Sequence, residues 1–319
     1  MVSRAYLAGR ECPMGKYLIK RLLIGVVTLL ALATITFFLM HAISDSPFAG
    51  DTSKLPANIQ ERLIDHYRLD EPVYVQYLQY LGNAVRGDFG TSLSRRGRDV
   101  ADIIASDFPT TASLGTVAFC IAMGVGILLG TIAAFSRQRW ASHAVAFIST
   151  IGVSVPSFLL AMLLMMLFGV TLRWLPIVGL TSWKHYIMPA IALAFAPIAM
   201  ISRLTKTSLM EVMKQDYMVM AKSKGTSQVM IIIRHALKNA LIPVVTYAGP
   251  LLATLLTGSF VVETLFSVPG LGAEFVMSVS NRDYTMIMAL TIFNGSFIII
   301  FNIVTDLITA ILDPRIRLQ

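Results

Sequence analysis

Charged side chains are scarce in this sequence, making up 14% of its 319 residues, whereas soluble domains carry about 25%. Apolar residues make up 55%, and the mean hydropathy is +0.70. This composition excludes an ordinary soluble domain. It predicts an all-α integral membrane protein surrounded by the lipid bilayer, because a helix satisfies its own backbone hydrogen bonds there. The net charge of +8 does not indicate a nucleic-acid partner. Membrane proteins accumulate Lys and Arg in their cytoplasmic loops, which explains the positive charge.

The sequence also lacks the patterns of catalytic, metal and nucleotide sites. Its two cysteines, Cys12 and Cys120, lie far apart and exclude a disulfide framework or a zinc site. The five histidines show no ligand spacing, and neither a Walker A nor a His-Glu-x-x-His pattern occurs. We therefore predict no cofactor, no metal and no enzyme activity in this chain.

Long uncharged runs are abundant and predict six membrane-spanning helices, each near the ~20 residues that cross a bilayer. The spans are residues 18–42, one within 108–136, one within 143–172, 185–203, 239–262 and 285–308. The fourth is the shortest, and Pro189 and Pro197 interrupt it, which membrane helices tolerate. In the second span, the spacing of Gly126 and Gly130 favours packing inside the chain over dimerisation.

Most of the 26 Lys and Arg residues fall on one side of these spans, near both ends of the chain and in the segment 204–238. Because such residues collect in the cytoplasm, both termini and this segment are predicted to be cytoplasmic. The predicted layout is an N-terminal extension (1–17), a first helix (18–42), an extracytoplasmic segment (43–107), a five-helix core (108–312) that contains the cytoplasmic loop 204–238, and a tail (313–319).

The extracytoplasmic segment has apolar residues at helical spacing, which predicts small helices after the first span. One predicted face comprises Ile59, Leu63 and Tyr67, and a second comprises Val73, Tyr77 and Tyr80 with Leu81. The segment either caps the mouth of the bundle or contacts an external protein, and both roles are compatible.

The stretch 216–243 is polar and basic, although it lies between two apolar runs. Asp216 is a good N-cap, and Gly225 suits the left-handed residue that ends a helix. Thr226 or Ser227 can then cap a second helix, which runs toward Pro243. The pattern predicts a helix, a glycine hinge and another helix.

The same stretch carries a family resemblance. The matching positions are Tyr217, Ala221, Lys224, Gly225, Arg234-His235-Ala236-Leu237, Asn239-Ala240-Leu241 and Pro243. They resemble the EAA-type loop of the peptide and nickel branch of ABC importer permeases. The Glu-Ala of the general motif is absent, and Val219 and Met220 stand in its place. Further matches, such as Pro269–Gly272 and Asn281–Tyr284, extend the resemblance over nearly the whole chain from Met14.

The resemblance implies a type I ABC importer permease with six transmembrane helices in a bacterial inner membrane. Its solute would be a peptide, with oligopeptides favoured; nickel, a metal chelate or glutathione are alternatives. The implied partners are a second homologous permease subunit, two ABC ATPase subunits and an extracytoplasmic solute-binding protein. The implied ATPase-coupling residues are Asp216, Tyr217, Ala221, Lys224 and Gly225.

Ionisable residues inside spans are candidates for function. Glu263 either lines a pathway or gate, or is a helix-end carboxylate with a local partner. Asp306 is expected to form a structural pair, and His41 to be an ordinary span-end residue. Gly249 and Pro250 either expose backbone groups along a substrate path or form a simple proline kink.

Three other classes of function fit the sequence less well. A secondary carrier predicts midplane charges and inverted repeats, and the sequence shows neither. A membrane anchor or receptor leaves the basic stretch without a role. A membrane enzyme is disfavoured because no catalytic constellation occurs.

Overall fold

The computed structural model describes residues 14–43, 71–95, 97–136, 139–223, 225 and 227–312. Most of these residues are helical. In chain order the helices are α1 (Met14–Ile43), α2 (Val73–Val85), α3 (Val100–Phe135), α4 (Arg139–Ser154), α5 (Ser157–Leu164), α6 (Trp183–Val212), α7 (Asp216–Ser223), α8 (Gln228–Ile231), α9 (Leu237–Ala240), α10 (Ile242–Leu256), α11 (Phe260–Leu265), α12 (Leu271–Ser280) and α13 (Tyr284–Leu312). The described residues also contain two π-helical stretches, Met165–Thr171 after α5 and Ile232–Ala236 between α8 and α9.

The expected membrane-spanning helices are present. In the described part of the chain, five segments are long and apolar enough to cross a bilayer: Tyr17–Ala42, Val100–Phe135, Trp183–Val212, Ile242–Leu265 and Tyr284–Ile311. A bent pair of helices, His143–Ser154 and Ser157–Thr171, makes a sixth when it is counted as one crossing. The prediction of an all-α membrane protein with six spans is therefore confirmed.

Helices α3 and α6 form the centre of the bundle and approach closely along a stripe of small residues. Gly126 and Gly130 are buried, and a side chain at Gly130 would collide with the carbonyl of Ser202 and the side chain of Thr205. Apolar helices in a bilayer gain no hydrophobic attraction from each other, so close packing must hold them together. The Gly126 and Gly130 pair thus serves packing inside the chain, as predicted.

Several spans differ from their predicted bounds. The second begins at Val100 rather than near Phe108, so the end of the 43–107 segment is helical and continuous with α3. The fourth is not the shortest: α6 has 30 residues, and its two buried prolines do not end it. Neighbouring helices cover α6 there, which is the setting in which a membrane helix accommodates proline.

The third span is bent rather than straight. Helix α4 ends at Ser154, Pro156 caps α5, and the two axes meet at 103°. Proline lacks an N–H and disfavours helical conformation in the residue before it, so the break falls there. The fifth span also breaks, between α10 and α11, where Gly258 has a left-handed φ of 95°.

Helix α1 lies at the edge of the bundle and packs mainly on α13. At one end Arg21 forms an ion pair with Asp306 over 2.7 Å, and the Tyr17 hydroxyl donates to the same carboxylate. At the other end His41 stacks on Phe37 with ring centroids 4.2 Å apart. Asp306 is therefore a structural partner, as expected, and His41 lies near the end of the span.

Helix α2 covers the His41 end of α1. Tyr77, Tyr80 and Leu81 pack against the cluster that contains Phe37 and Met40, whereas Val73 remains exposed. The second predicted amphipathic face is therefore largely correct. The first, formed by Ile59, Leu63 and Tyr67, lies outside the described residues, as does the tail 313–319.

We predict that Gly130→Val disrupts the contact between α3 and α6, because overpacking costs about 1–3 kcal/mol. Gly124→Val in the same helix is the matched control, since a Cβ there meets no described atom within 4 Å. The thermal unfolding midpoint of the purified chain in detergent should fall for G130V and stay unchanged for G124V. Equal midpoints for the two variants would contradict the close approach at Gly130.

Candidate functional site

Residues 216–240 form a helical hairpin at the end of the bundle where α3 and α6 finish. The first arm is α7, and Gly225 follows it with a left-handed φ of 75°. The second arm begins at Gln228, and the Ser227 hydroxyl accepts a hydrogen bond from the N–H of Met230 at 3.4 Å. We call this segment the basic hairpin and its side of the molecule the hairpin end.

The basic hairpin is anchored in the bundle by one buried methionine. Met218 is fully buried with Leu209 at the end of α6 and with Ile231 and Ala236 in the second arm. Partly buried residues at the end of α3, including Phe135, pack against this cluster. The first arm is therefore in contact with both α6 and the second arm.

Large apolar side chains on the same hairpin are exposed. Tyr217 is 41% exposed, Met220 is 60% exposed and Met230 is 48% exposed. Exposed basic residues accompany them, namely Lys214, Arg234 and Lys238. Methionines on a surface adapt to an apolar partner groove, and these positions lie beyond the ends of the spans.

The structure places the predicted coupling residues as follows. Helix α7 starts at Asp216, which is therefore its first residue and not its N-cap. Tyr217 is exposed, and its hydroxyl accepts a hydrogen bond from the amide of Asn239 at 3.0 Å. Ala221 lies on α7, while its side chain and Lys224 lie outside the described part. The left-handed conformation predicted for Gly225 is confirmed.

Glu263 lies at the opposite end of the bundle and is 1% exposed. Its Oε2 accepts hydrogen bonds from the N–H groups of Gly272 (2.8 Å) and Ala273 (3.3 Å), and its Oε1 accepts from Ser259 (3.2 Å). The Thr111 hydroxyl also approaches Oε2, at 3.4 Å. This one carboxylate therefore joins the break before α11, the first turn of α12, and α3.

Two more buried carboxylates hold α12 and the turn after it. Asp283 accepts from the hydroxyls of Ser92 (2.5 Å) and Ser94 (2.8 Å) and, through its other oxygen, from the N–H of Met286 in α13. Glu274 pairs with Arg95. Burial raises the pKa of Glu274 above its ordinary value, and the Arg95 guanidinium opposes that shift. Helix α12 is thus fixed to the loop before α3 at its first turn and just beyond its last residue.

Gly249 and Pro250 lie in an unbroken stretch of α10, not in a break that exposes backbone. Gly249 packs against the side chain of Thr305 in α13, with no room for a Cβ. The irregular backbone of this span lies further on, at Gly258. Among the described residues, no group of three or more His, Cys, Asp or Glu side chains could hold a metal ion.

A bundle of apolar spans, a basic hairpin at one end and polar junctions at the other define a polytopic membrane protein. Two family models match the chain: "Binding-protein-dependent transport system inner membrane component" over residues 126–318, and the corresponding N-terminal model over residues 14–115. The chain belongs to this family of inner-membrane transport components.

Named relatives align over almost their full length. The dipeptide transport system permease protein DppB of Bacillus subtilis is 42% identical over 96% of this chain and 99% of its own length. The oligopeptide transport system permease protein OppB of Haemophilus influenzae is 41% identical, and OppB of Escherichia coli K12 is 40% identical, each over 95% of this chain and 100% of its own length.

Solved structures agree with the fold. A chain of the MetNI methionine ABC transporter in an inward-facing conformation superposes with a TM-score of 0.53, covering 66% of this chain and 96% of that chain. The two sequences are 17% identical, so the likeness supports the architecture alone.

Sequence reasoning missed four residues that organise these sites: Met218, Asn239, Thr111 and Asp283. Asn239 and Asp283 lie in stretches that carried the family resemblance, but no local pattern indicates what they contact. Met218 and Thr111 look like ordinary helix residues. Their partners lie far away in the chain, and Thr111 and Glu263 are 152 positions apart.

We predict that Glu263→Gln destabilises the junction although the two side chains have the same shape. Both carboxylate oxygens accept hydrogen bonds, whereas an amide turns one of them into a donor that faces N–H groups. Leaving buried donors unsatisfied costs about 1–3 kcal/mol. The thermal midpoint should fall, and hydrogen exchange in residues 271–280 should quicken. The exposed Glu211→Gln should change neither, and an unaltered exchange rate in E263Q would contradict the role given to Glu263.

Proposed function

We propose that this chain is a permease subunit of an ATP-binding-cassette importer that carries peptides into the cytoplasm. The names of the relatives, which are dipeptide and oligopeptide permeases, support the solute class. The observation that carries the coupling is the basic hairpin, which exposes Tyr217, Met220 and Met230 while Met218 anchors it to the core. Oligopeptides stay the favoured solute; nickel, metal chelates and glutathione are the alternatives within the family.

The proposed topology places the hairpin end in the cytoplasm together with both termini. The loop 204–238 is then a cytoplasmic coupling loop, and the segment 43–107 is largely extracytoplasmic. The proposed partners are two ABC ATPase subunits, a second homologous permease subunit and an extracytoplasmic solute-binding protein. Lys and Arg placement supports this orientation, because positive residues favour the cytoplasmic side.

In the proposed mechanism, the helix Asp216–Ser223 sits in a groove of an ATPase subunit, with the adjoining Lys224 and Gly225 completing the coupling element. An amphipathic helix binds a groove through its apolar anchors, and the exposed Tyr217 and Met220 are suited to that role. Closure of the ATPases moves the hairpin. Because Met218 packs on α6 and on the second arm, the movement reaches α6 and α10 and changes which side of the membrane the bundle opens to.

The assignment of Gly249, Pro250 and Glu263 to the translocation pathway stays a prediction. The geometry suggests a different role for Glu263 than for Gly249. The carboxylate of Glu263 accepts hydrogen bonds from four surrounding groups. This favours a role in positioning α12 at the extracytoplasmic mouth over direct contact with solute. Gly249 allows α13 to lie close to α10, so a bulkier residue there would spread the two helices.

The function is tested by purifying the chain with its partner subunits and reconstituting the complex in lipid vesicles with the solute-binding protein. We expect labelled peptides to accumulate when ATP is present on the ATPase side. Uptake should be absent with a non-hydrolysable nucleotide or without the ATPase subunits. Accumulation of nickel but not of peptides would replace the proposed solute, and uptake by the chain alone would favour a secondary carrier.

We predict that Gly225→Ala lowers ATP-driven uptake about fivefold or more, because an L-residue in the left-handed region costs about 1–2 kcal/mol. Gly225→Asn should retain most activity, since asparagine tolerates that conformation. Gly124→Ala is the matched control: no described atom lies within 4 Å of its added Cβ, and its φ is not left-handed. Uptake rates in vesicles test the order G124A, G225N, G225A, and equal rates for all three would contradict a hinge at Gly225.

A further inference from the structure

Tyr217 and Asn239 lie at the two roots of the basic hairpin. Tyr217 is the second residue of α7, shortly after α6 ends, and Asn239 lies in α9, shortly before α10 begins. The amide nitrogen of Asn239 donates to the Tyr217 hydroxyl at 3.0 Å, across 22 positions of the chain. This hydrogen bond closes the hairpin at the place where it joins the two spans.

The Tyr217 side chain has two parts with different surroundings. Its ring contributes to the exposed apolar surface, since the residue is 41% exposed. Its hydroxyl accepts the hydrogen bond from Asn239 on the exposed surface of the same hairpin and is not needed for an apolar contact with a groove. The two parts can therefore be altered separately: phenylalanine keeps the ring and removes only the bond.

We infer that the hydrogen bond from Asn239 to Tyr217 is a brace between the two arms of the hairpin. It makes α6 and α10 move together when the ATPase subunits displace the hairpin. This inference rests on the proposed function and assigns Tyr217 and Asn239 as positioning residues within it. Met218, next to Tyr217, packs the first arm on Leu209 and Ala236 but contributes no directional bond. With the brace present, the first arm cannot turn about Met218 without moving Asn239 and the start of α10. Without this hydrogen bond, part of the displacement imposed by the ATPase subunits moves the two arms relative to each other and does not reach α10.

The test compares Tyr217→Phe, Asn239→Leu and the double variant in the complete complex reconstituted in vesicles. Each single variant should retain ATP hydrolysis and bound ATPase subunits while peptide uptake per ATP falls about two- to tenfold, the factor that one hydrogen bond is worth. The double variant should be no worse than the worse single variant, because both changes remove one bond. Asn239→Asp should retain coupling, since the phenol can donate to a carboxylate.

Tyr74→Phe is the matched control, an exposed tyrosine on α2 at the opposite end of the bundle, and it should leave hydrogen exchange in residues 216–241 unchanged. Unchanged uptake per ATP in both single variants would overturn the brace. Additive losses in the double variant would also overturn it, and so would loss of the ATPase subunits from Tyr217→Phe, which would make the hydroxyl a docking contact.

Hydrogen exchange in the complex without nucleotide tests the brace independently of transport. Tyr217→Phe should quicken exchange in residues 237–241, and Asn239→Leu should quicken it in residues 216–223. If the unaltered complex takes up no peptide with ATP, the proposed function fails, and the exchange rates alone decide whether the bond couples the two arms. Protection that is unchanged in both variants overturns the inference.

Discussion

The close approach of α3 and α6 is the contact on which the rest of the structure depends. In a bilayer two apolar helices gain little by leaving lipid for each other, so their association needs shapes that fit at short range. Gly126 supplies that shape against Ile201, and Gly130 supplies it against Ser202 and Thr205. Both ends of this pair then carry the candidate sites: α6 leads into the basic hairpin, and Thr111 of α3 reaches Glu263. The two sites are therefore attached to one rigid pair of helices.

The end opposite the hairpin is built on a second constraint, the need to satisfy polar groups away from water. The chain breaks before α11 and starts a new helix at Leu271, which leaves backbone N–H groups without helical partners. Glu263 accepts from three of these groups, and Asp283 does the same for the start of α13. Charged residues in this region therefore have a structural explanation. Irregular backbone occurs where a carboxylate is available to satisfy it.

The sequence predicted the number of spans and the hairpin because these depend on local properties. Uncharged runs identify the spans, and a capping pattern around Gly225 identifies the turn between two arms. The bend at Pro156 and the full length of α6 were not predicted: one proline breaks a helix, while Pro189 and Pro197 lie inside one, and only tertiary cover distinguishes them. The partners of Glu263 and Tyr217 were also out of reach, because hydrogen bonds between distant positions leave no trace in composition or periodicity.

The position of α1 has a consequence for biogenesis. Its main partner is α13, and the ion pair of Arg21 with Asp306 joins residues near opposite ends of the polypeptide. Because α1 precedes α13 in the chain, a ribosome produces α1 while its main partner is still missing, and α1 enters the membrane before α13 has been made. Until Asp306 is made, Arg21 lacks the carboxylate that neutralises it, so completion of α13 is the step that pairs this charge at the edge of the bundle.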